Sequence, residues 1–382
     1  MGTRAAKQPW IAEAAERIAE RAPQELEALV AVSSPSGDRA GAEAAVAVAA
    51  ALAPEGGQVE RLECSTEGHA QDLLVRVRGT GSRRLLLLGH VDTVIAHDEH
   101  RPLARDDGRL VGSGAVDMKG GVVLALGVLR AFAARPAEFR ELALLLVCDE
   151  EWRVGEFAHV PRFAGFDACL CFEGGQLSPD GEEGVVVKRK AAGTLKVRAH
   201  GRSAHSGSAP EMGANALLAL AAAAQVVAKR HDPTGPDHLT AVPTVLRSGE
   251  AFNVVPAAGE LLCDLRADVL EAFEPVLHAL PGDVEGVRLE AEIVRRWPGM
   301  DARQITAPLL RAAGERLGRR VVGLDRGGAS DASHFAPDIA LTVDGLGPLG
   351  GHSHAPDEYV VEASLRSRAE VALAVVEAVL AA

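Results

Sequence analysis

Short apolar runs bounded by polar or glycine residues recur along the first half of the chain. Three of them cover residues 85–88, 142–147 and 168–172. A short continuous apolar run predicts a strand that is buried on both faces, which is typical of a parallel sheet. Longer segments with apolar residues at helical spacing predict helices at residues 11–32, 40–52, 119–134 and 362–380. This alternation of strand and helix predicts an α/β fold.

The pattern changes near Lys188, where alternating apolar and polar positions replace the continuous runs. The elements predicted after this point are a strand at residues 194–200, a helix at 214–228, and strands at 261–265 and 284–294. They predict an α+β block with an antiparallel sheet. We therefore predict that residues 188–297 are inserted in a catalytic domain formed by residues 1–187 and 298–382.

The chain has 382 residues, which predicts two domains, and its composition (47% hydrophobic, 24% charged) is ordinary for a globular protein. The net charge is −13 and no basic block stands out, so we expect neither nucleic acid nor a membrane as a partner. The segment up to Pro23 lacks the apolar core of a signal peptide. An odd number of cysteines, three of them in apolar runs, fits a reducing cytoplasm.

Histidine and carboxylate residues stand at the ends of the three apolar runs. His90 and Asp92 end the first run, Glu150 and Glu151 follow the second, and Glu173 follows the third. In open α/β sheets, ligands bind at the carboxyl ends of the strands. Imidazole together with carboxylates suits a borderline metal such as zinc. The three ends together therefore predict a metal site in a metal-dependent hydrolase.

Each cluster alone has a simpler interpretation. His90 could be a core histidine beside a surface aspartate, and the acidic pair could be a solvated turn. In a metal site, Asp92 would accept the second ring N–H of His90 and fix its tautomer. One member of the pair Glu150 and Glu151 would bind the metal, and the other would take a proton from the attacking water.

Two glycine-containing segments add further candidates. Asp117 lies in the segment 112–121, where its carboxylate could bridge two cations or cap a helix. His352 and His354 share the segment 351–358. Their spacing alone does not choose between them as a metal ligand.

As a set, these motifs resemble the dinuclear zinc metallopeptidase family that includes glutamate carboxypeptidase, acetylornithine deacetylase and succinyl-diaminopimelate desuccinylase. The matching segments are Gly-His-Val-Asp-Thr-Val at 89–94, Gly-Ser-Gly-Ala-Val-Asp-Met-Lys-Gly-Gly at 112–121, Asp-Glu-Glu at 149–151 and Gly-Arg-Ser-Ala-His-Ser-Gly at 201–207. The resemblance extends from about Ser33 to the C-terminus. Within the family it is strongest to glutamate carboxypeptidase.

The resemblance implies a phosphorylase/hydrolase-like mixed-sheet catalytic domain with an inserted ferredoxin-like α+β domain that serves as lid and dimerisation domain. It also implies two zinc ions per subunit, which cobalt can replace. His90, Asp117 and Glu173 would bind one ion. Asp117, Glu151 and His354 would bind the second, so that Asp117 is the bridge. His354 is preferred to His352 because the family has a glutamate four residues after its ligand, where this chain has Glu358.

The same resemblance implies catalytic roles for Glu150, as general base and acid, and for Asp92, which orients the first histidine. His205 would reach into the active site of the partner subunit of a homodimer and polarise the scissile carbonyl. The residues implied in substrate binding are Asn253, Arg266, Gly328 and Ser330. Simpler interpretations exist for two of them, because Arg266 could be a surface arginine and Asn253 could form a turn.

The expected function is zinc-dependent hydrolysis of an amide bond next to a C-terminal carboxylate, with Arg266 matching that carboxylate. The substrate would be a small peptide or an N-acyl amino acid. The first alternative is a deacylase of N-acyl amino acids that uses the same dizinc site. The second, a non-enzymatic metal-binding dimer, is disfavoured because every catalytic position is occupied, including Glu150.

Overall fold

A computed structural model of the protein describes residues 9–382, which fall into two units. Of these residues, the first unit comprises those up to Lys188 together with Asp301–Arg326 and Ser330–Ala382, and the second comprises Arg189–Met300 and Gly327–Ala329. The boundaries predicted from the sequence follow residues 187 and 297. The sequence did not predict that a short segment near residue 328 groups with the second unit.

Within residues 9–382 the helices are α1 (Pro9–Val30), α2 (Arg39–Ala51), α3 (Gly120–Ala133), α4 (Ala216–Ala228), α5 (Glu274–His278), α6 (Arg303–Leu317), α7 (Ala332–Phe335) and α8 (Ser364–Leu380). The long helices predicted from apolar spacing correspond to α1, α2, α3, α4 and α8. No helix in this part of the chain has both the length and the apolar composition that crossing a membrane requires.

The strands of the same residues are β1 (Gln58–Leu62), β2 (Asp72–Arg78), β3 (Arg84–His90), β4 (Ala104–Asp106), β5 (Arg109–Val111), β6 (Glu141–Val147), β7 (Ala168–Cys171), β8 (Gln176–Leu177), β9 (Glu183–Arg189), β10 (Ala191–His200), β11 (Thr240–Ser248), β12 (Ala258–Ala267), β13 (Asp283–Val284), β14 (Val287–Trp297), β15 (Met300–Asp301), β16 (Val321–Arg326), β17 (Thr342–Val343), β18 (Gly350–Gly351) and β19 (Tyr359–Val361).

The main sheet of the first unit has the strand order β1-β2-β6-β3-β7-β17. Strand β3 lies between β6 and β7 and runs parallel to both, with Leu88 opposite Leu145 on one side and Cys171 on the other. Strands β1 and β2 join the sheet in antiparallel orientation. The three parallel strands are those predicted from the apolar runs, and they are almost fully buried. Their carboxyl ends therefore lie along one edge of the sheet.

A close backbone contact joins α3 to the end of β7. A Cβ atom at Gly121 would lie 1.8 Å from the carbonyl oxygen of Phe172, so only glycine allows this approach. The helix follows the segment that contains Asp117, and Phe172 precedes Glu173. The contact therefore brings these two carboxylates towards each other.

The second unit contains a five-stranded antiparallel sheet with the order β11-β12-β10-β14-β13. Helix α4 contributes Leu220 and Val227 to an apolar core that also contains Leu195 and Leu261 of the sheet. This α+β arrangement agrees with the predicted class of the inserted block.

Two details of this sheet differ from the prediction. Thr240–Ser248 forms an edge strand that was not predicted, because Pro243 interrupts its apolar pattern; the register shifts between Pro243 and Val245. The single strand predicted at residues 284–294 is wrong at its start. Glu285 and Gly286 have φ values of 52° and 80°, and they form the two-residue turn of a hairpin between β13 and β14.

Candidate dinuclear metal centre

Three neighbouring strands deliver acidic and imidazole side chains to one edge of the main sheet. His90 is the last residue of β3, and Glu173 follows β7 after one residue. Glu150 and Glu151 lie in the turn that follows β6. Because these strands are parallel neighbours, their carboxyl ends place the four side chains together, as the sequence predicted.

The first group of metal donors consists of His90, Asp117 and Glu173, whose ligand atoms lie within 4.8 Å of one another. The Nε2 atom of His90 is 3.3 Å from Asp117 Oδ1 and 3.7 Å from Glu173 Oε1. The imidazole is only 1% exposed. These are the three residues that the family resemblance implied for the first ion.

The second group consists of Asp117, Glu151 and His354. The Nε2 atom of His354 is 3.2 Å from Asp117 Oδ2 and 3.3 Å from Glu151 Oε1. Each oxygen of Asp117 therefore faces a different imidazole, and this carboxylate belongs to both groups. His352 instead pairs with Asp357 at 2.7 Å, and it belongs to none of the donor groups found among residues 9–382.

The neighbouring carboxylates favour the protonated form of both imidazoles. Hydrogen bonds with Asp117 and Glu151 raise the pKa of His354 to about 10. Burial lowers the pKa of His90, but hydrogen bonds with Asp117 and Asp92 outweigh it and raise this pKa well above its ordinary value. A divalent cation in each group would supply that positive charge in place of the protons. Imidazole nitrogens and carboxylate oxygens in these combinations fit zinc.

Asp92 connects two of the strand ends. The Nδ1 atom of His90 is 3.0 Å from the backbone oxygen of Asp92 and 3.4 Å from its carboxylate. A proton on Nδ1 leaves the Nε2 lone pair directed at Asp117 and Glu173, as a ligand role requires. The Asp92 carboxylate also accepts the backbone N–H groups of Glu150 at 3.2 Å and Glu151 at 3.1 Å, which the sequence did not predict.

Glu150 lies beside the centre without belonging to either of the two groups that share Asp117. Its carboxylate forms a third cluster with His90 and Glu151, within the same 4.8 Å limit. The residue is 8% exposed, and burial raises the pKa of its carboxyl well above the ordinary value, against the effect of His90. A carboxyl group in this position is suited to taking up a proton and delivering it again.

Glu358 is a residue whose contribution the sequence did not reveal. Its buried carboxylate accepts the backbone N–H groups of Gly114 at 3.0 Å, Val116 at 2.7 Å and Asp117 at 2.7 Å. Burial raises its pKa to about 7, against the effect of these hydrogen bonds. Glu358 therefore fixes the segment that presents Asp117. The only signal in the sequence was its place four residues after His354.

The residues predicted to assist catalysis from the second unit lie in neighbouring exposed loops. The Nδ1 atom of His205 accepts the backbone N–H groups of Gly207 at 3.1 Å and Ser208 at 3.2 Å. In the neutral ring, the proton is therefore on Nε2, which is able to donate. Asn253 lies in the adjacent loop, where its carbonyl oxygen accepts the N–H of Ser206 at 3.0 Å.

The other predicted substrate-binding residues lie in different surroundings. The Nε atom of Arg266 donates to Asp264 at 3.0 Å. Gly328 is exposed, and its carbonyl oxygen accepts a hydrogen bond from Arg189 at 2.8 Å. The hydroxyl of Ser330 is buried and accepts the N–H of Ala332 at 3.2 Å. The side chain of Ser330 thus serves the local fold.

The sequence model of the peptidase family M20/M25/M40 matches residues 86–378 of the chain, which is more than half of its length. The chain belongs to this family. The peptidase is 26% identical to carboxypeptidase G2 of Pseudomonas sp. (strain RS-16) over 358 residues, an alignment that covers 88% of this chain and 83% of the relative. It is 29% identical to succinyl-diaminopimelate desuccinylase of Halorhodospira halophila over 320 residues, with 76% and 82% covered.

Solved structures share the fold of this peptidase. Aminopeptidase PepT of Bacillus cereus superposes with a TM-score of 0.74 at 21% identity, covering 94% of this chain and 98% of the neighbour. An M20 family metallo-carboxypeptidase of Sulfolobus solfataricus gives a TM-score of 0.71 at 15% identity, with 94% and 98% covered. The α/β fold class predicted from the sequence is confirmed. This peptidase is a hydrolase of the metallopeptidase and amidohydrolase type with residue groups able to bind metal.

We predict that Glu358→Ala weakens metal binding, because three N–H groups of the Asp117 segment lose their shared acceptor. Substitutions of residues that orient metal ligands typically cost about 10- to 100-fold in metal affinity. Competition with a chelator, followed by metal analysis, measures the change. Glu362→Ala is the matched control, because Glu362 pairs with Arg105 in a more exposed position. Equal metal retention by both variants would contradict the assigned role.

Proposed function

We propose that this peptidase binds two Zn²⁺ ions per subunit and hydrolyses an amide bond next to a free carboxylate, in the manner of a glutamate carboxypeptidase. The observation that carries the proposal is the sharing of Asp117 between two donor groups, with Glu150 beside them. His90 and Glu173 complete one group, and Glu151 and His354 complete the other. The relative named carboxypeptidase G2 supports the reaction class.

Each catalytic residue has a defined task in this reaction. The bound ions would supply Lewis-acid polarisation of the amide carbonyl and of the attacking water. Glu150 takes a proton from that water and delivers it to the leaving amine. His205 donates its Nε2–H to the carbonyl oxygen as negative charge develops there. Asp92 keeps His90 in the tautomer that leaves Nε2 free.

The sheet of the second unit supports a homodimer. His200 pairs with Ala258 near one end of β10, and Ala192 pairs with Arg266 near the other end. Eight residues of antiparallel strand span about 27 Å. The loop of His205 and Asn253 follows the first end, so a small substrate cannot contact both this loop and Arg266 of the same chain. We propose that the loop acts in the active site of the partner subunit.

An exposed apolar edge in the second unit is a suitable dimer contact. β11 is the outer strand of the sheet, and its residues Val242 and Leu246 are exposed. Leu217 and Leu218 of α4 are exposed as well. An edge strand with unpaired backbone groups and apolar side chains is a template for pairing with another chain. We propose that two copies associate through β11 and α4.

A deacylase of N-acyl amino acids is the second candidate function. It would use the same metal centre with a different substrate pocket. The observation that favours it is the similarity to several relatives named succinyl-diaminopimelate desuccinylase. Activity on glutamate peptides, compared with activity on N-acetyl and N-succinyl amino acids, distinguishes the two.

The location of the protein in the cytoplasm, which the cysteine content suggested, stays a prediction.

We predict that Glu150→Gln retains its metal ions and loses turnover. The amide keeps the size of the side chain but cannot accept the proton of the water. General acid–base groups contribute about 10²- to 10⁴-fold in rate. Metal analysis and kcat measured on the same preparation test this. Glu156→Gln, at an exposed position of the segment that follows this turn, is the control and should be unaffected. Normal turnover, or loss of metal, in Glu150→Gln would refute the assignment.

We predict that the free carboxylate of the substrate is required and that Arg266 binds it. A guanidinium binds a carboxylate through two parallel hydrogen bonds, which an ammonium does not reproduce. Arg266→Lys should therefore lower kcat/KM on a C-terminal glutamate substrate by an amount that corresponds to a loss of about 2–5 kcal/mol of transition-state stabilisation. Arg288→Lys is the control, because Arg288 lies on an exposed part of the same sheet, and it should leave kcat/KM unchanged. If the wild-type protein cleaves the amidated and free substrates equally well, the carboxypeptidase proposal fails.

We predict that His205→Ala alone and Glu150→Ala alone are nearly inactive, while their mixture regains activity. In a hybrid dimer, one active site has Glu150 from its own chain and His205 from the partner. Random exchange of equal amounts should restore at most about one quarter of native activity, because half of the dimers are hybrids with one intact site. Mass spectrometry verifies that the subunits have exchanged. If activity does not recover after verified exchange, His205 does not act across the dimer.

A further inference from the structure

A buried arginine lies behind the turn that carries Glu150 and Glu151. The side chain of Arg153 is 1% exposed, and it follows the donor residue Glu151 after one residue. A guanidinium stays protonated in proteins and so cannot serve as a metal ligand. Burying such a charge is costly unless it is paired and hydrogen-bonded. The role of this cation therefore has to be read from its partners.

Two buried carboxylates from different segments pair with Arg153. Its Nε atom donates to Asp149 at 3.3 Å, and its Nη2 atom donates to Asp331 at 2.8 Å. Asp149 directly precedes Glu150, whereas Asp331 directly precedes α7 and lies 178 positions beyond the arginine. The guanidinium therefore joins the turn after β6 to the start of α7.

Aromatic packing joins the same two segments. The guanidinium carbon of Arg153 lies 4.0 Å from the ring centre of Phe157. This ring in turn packs edge-to-face on Phe335, the last residue of α7, with 5.2 Å between the ring centres. A guanidinium stacked on an aromatic face keeps its plane fixed, so that its N–H groups point in defined directions. The ion pairs and the ring contacts thus both restrain the turn through α7.

Asp149 transmits this restraint to the catalytic turn. Its carboxylate also accepts the backbone N–H of Thr66 at 3.1 Å and the hydroxyl of the same residue at 2.6 Å. Its carbonyl oxygen accepts the N–H of Arg153 at 2.8 Å. Both the side chain and the backbone of the residue before Glu150 are therefore held, and the arginine takes part in both contacts.

We propose that Arg153 is a positioning residue, which through its pairing with Asp331 holds the turn of Glu150 in the geometry that proton transfer requires. The inference rests on the proposed function, which gives Glu150 the proton of the attacking water. Proton transfer needs a donor and an acceptor within hydrogen-bond reach, so a small displacement of the turn lowers turnover although Glu150 is still present.

The variant Arg153→Lys tests the positioning role. It keeps the positive charge, but an ammonium lacks the planar fork that binds two carboxylates at once. We expect kcat on a C-terminal glutamate substrate to fall about 10- to 100-fold, while KM changes less than about 3-fold and the metal content is unchanged. Arg83→Lys is the matched control, because Arg83 pairs with Asp167 at 2.7 Å and precedes β3, at the end of the strand opposite to His90. Unchanged kcat in Arg153→Lys, or loss of its metal, would overturn the proposal.

A double-mutant cycle distinguishes positioning from general stabilisation. If Arg153 and Asp331 act as one pair, Arg153→Met, Asp331→Asn and their combination should lower kcat to a similar extent, because the second change removes nothing further. The combination removes one charge of each sign, so its melting temperature should exceed that of Arg153→Met. Recovery of kcat together with the melting temperature would show that the arginine contributes stability alone. Losses of kcat that multiply would show that the two residues act independently, and either result would overturn the proposal.

Hydrogen exchange measured by mass spectrometry tests the connection without turnover, and so separates it from the proposed function. Asp331→Asn should speed amide exchange in residues 149–157, and Arg83→Lys should not. Unchanged exchange in residues 149–157 would overturn the role of Arg153 even if the protein hydrolyses its substrate. If the wild-type protein cleaves no amide next to a free carboxylate while Asp331→Asn loosens the turn, the proposed function fails and the connection through Arg153 is supported.

Discussion

Asp117 presents its two carboxylate oxygens to two different imidazoles, those of His90 and His354. The strand ends and loops that carry the other donors of the first unit meet at this carboxylate. Glu151 and Glu173 are within reach of the same imidazoles. So many carboxylates in a water-poor setting repel one another and are costly to bury without compensating positive charge. The same carboxylates raise the pKa of both histidines, so they favour positive charge at this place. Metal binding would meet this demand, so metal affinity and folding stability are linked in this unit.

A second set of carboxylates supports the first without belonging to it. Glu358 accepts three N–H groups of the Asp117 segment, and Asp92 accepts those of Glu150 and Glu151. Carboxylates are strong hydrogen-bond acceptors, and several N–H groups converging on one of them restrict the backbone more than single bonds do. The geometry of the centre thus depends on acidic residues in two roles, as ligands and as anchors of the loops that carry the ligands.

The grouping of the donors could be predicted from the sequence because they follow strands whose direction could be inferred. Apolar runs before His90, Glu150 and Glu173 implied parallel strands, and parallel strands share a carboxyl edge. The pairing of Glu358 with Val116 joins residues 242 positions apart, and no local pattern contains such information. The edge strand that contains Pro243 was not predicted because a proline inside a strand-like pattern argues locally against a strand. Proline is tolerated there since an edge strand needs only half of its hydrogen bonds.

The residues of the metal centre and those that would contact the substrate from the second unit differ in their surroundings. His90, Glu150 and Glu358 are buried and held by several neighbours, so changes there disturb the metal centre itself. His205 and Asn253 are exposed in two loops that a backbone hydrogen bond from Ser206 to Asn253 joins. Such positions can change without affecting the donors. Under the proposed function, exposed side chains around the metal centre would select the acyl group, which would explain why this chain resembles both a relative named carboxypeptidase G2 and one named succinyl-diaminopimelate desuccinylase.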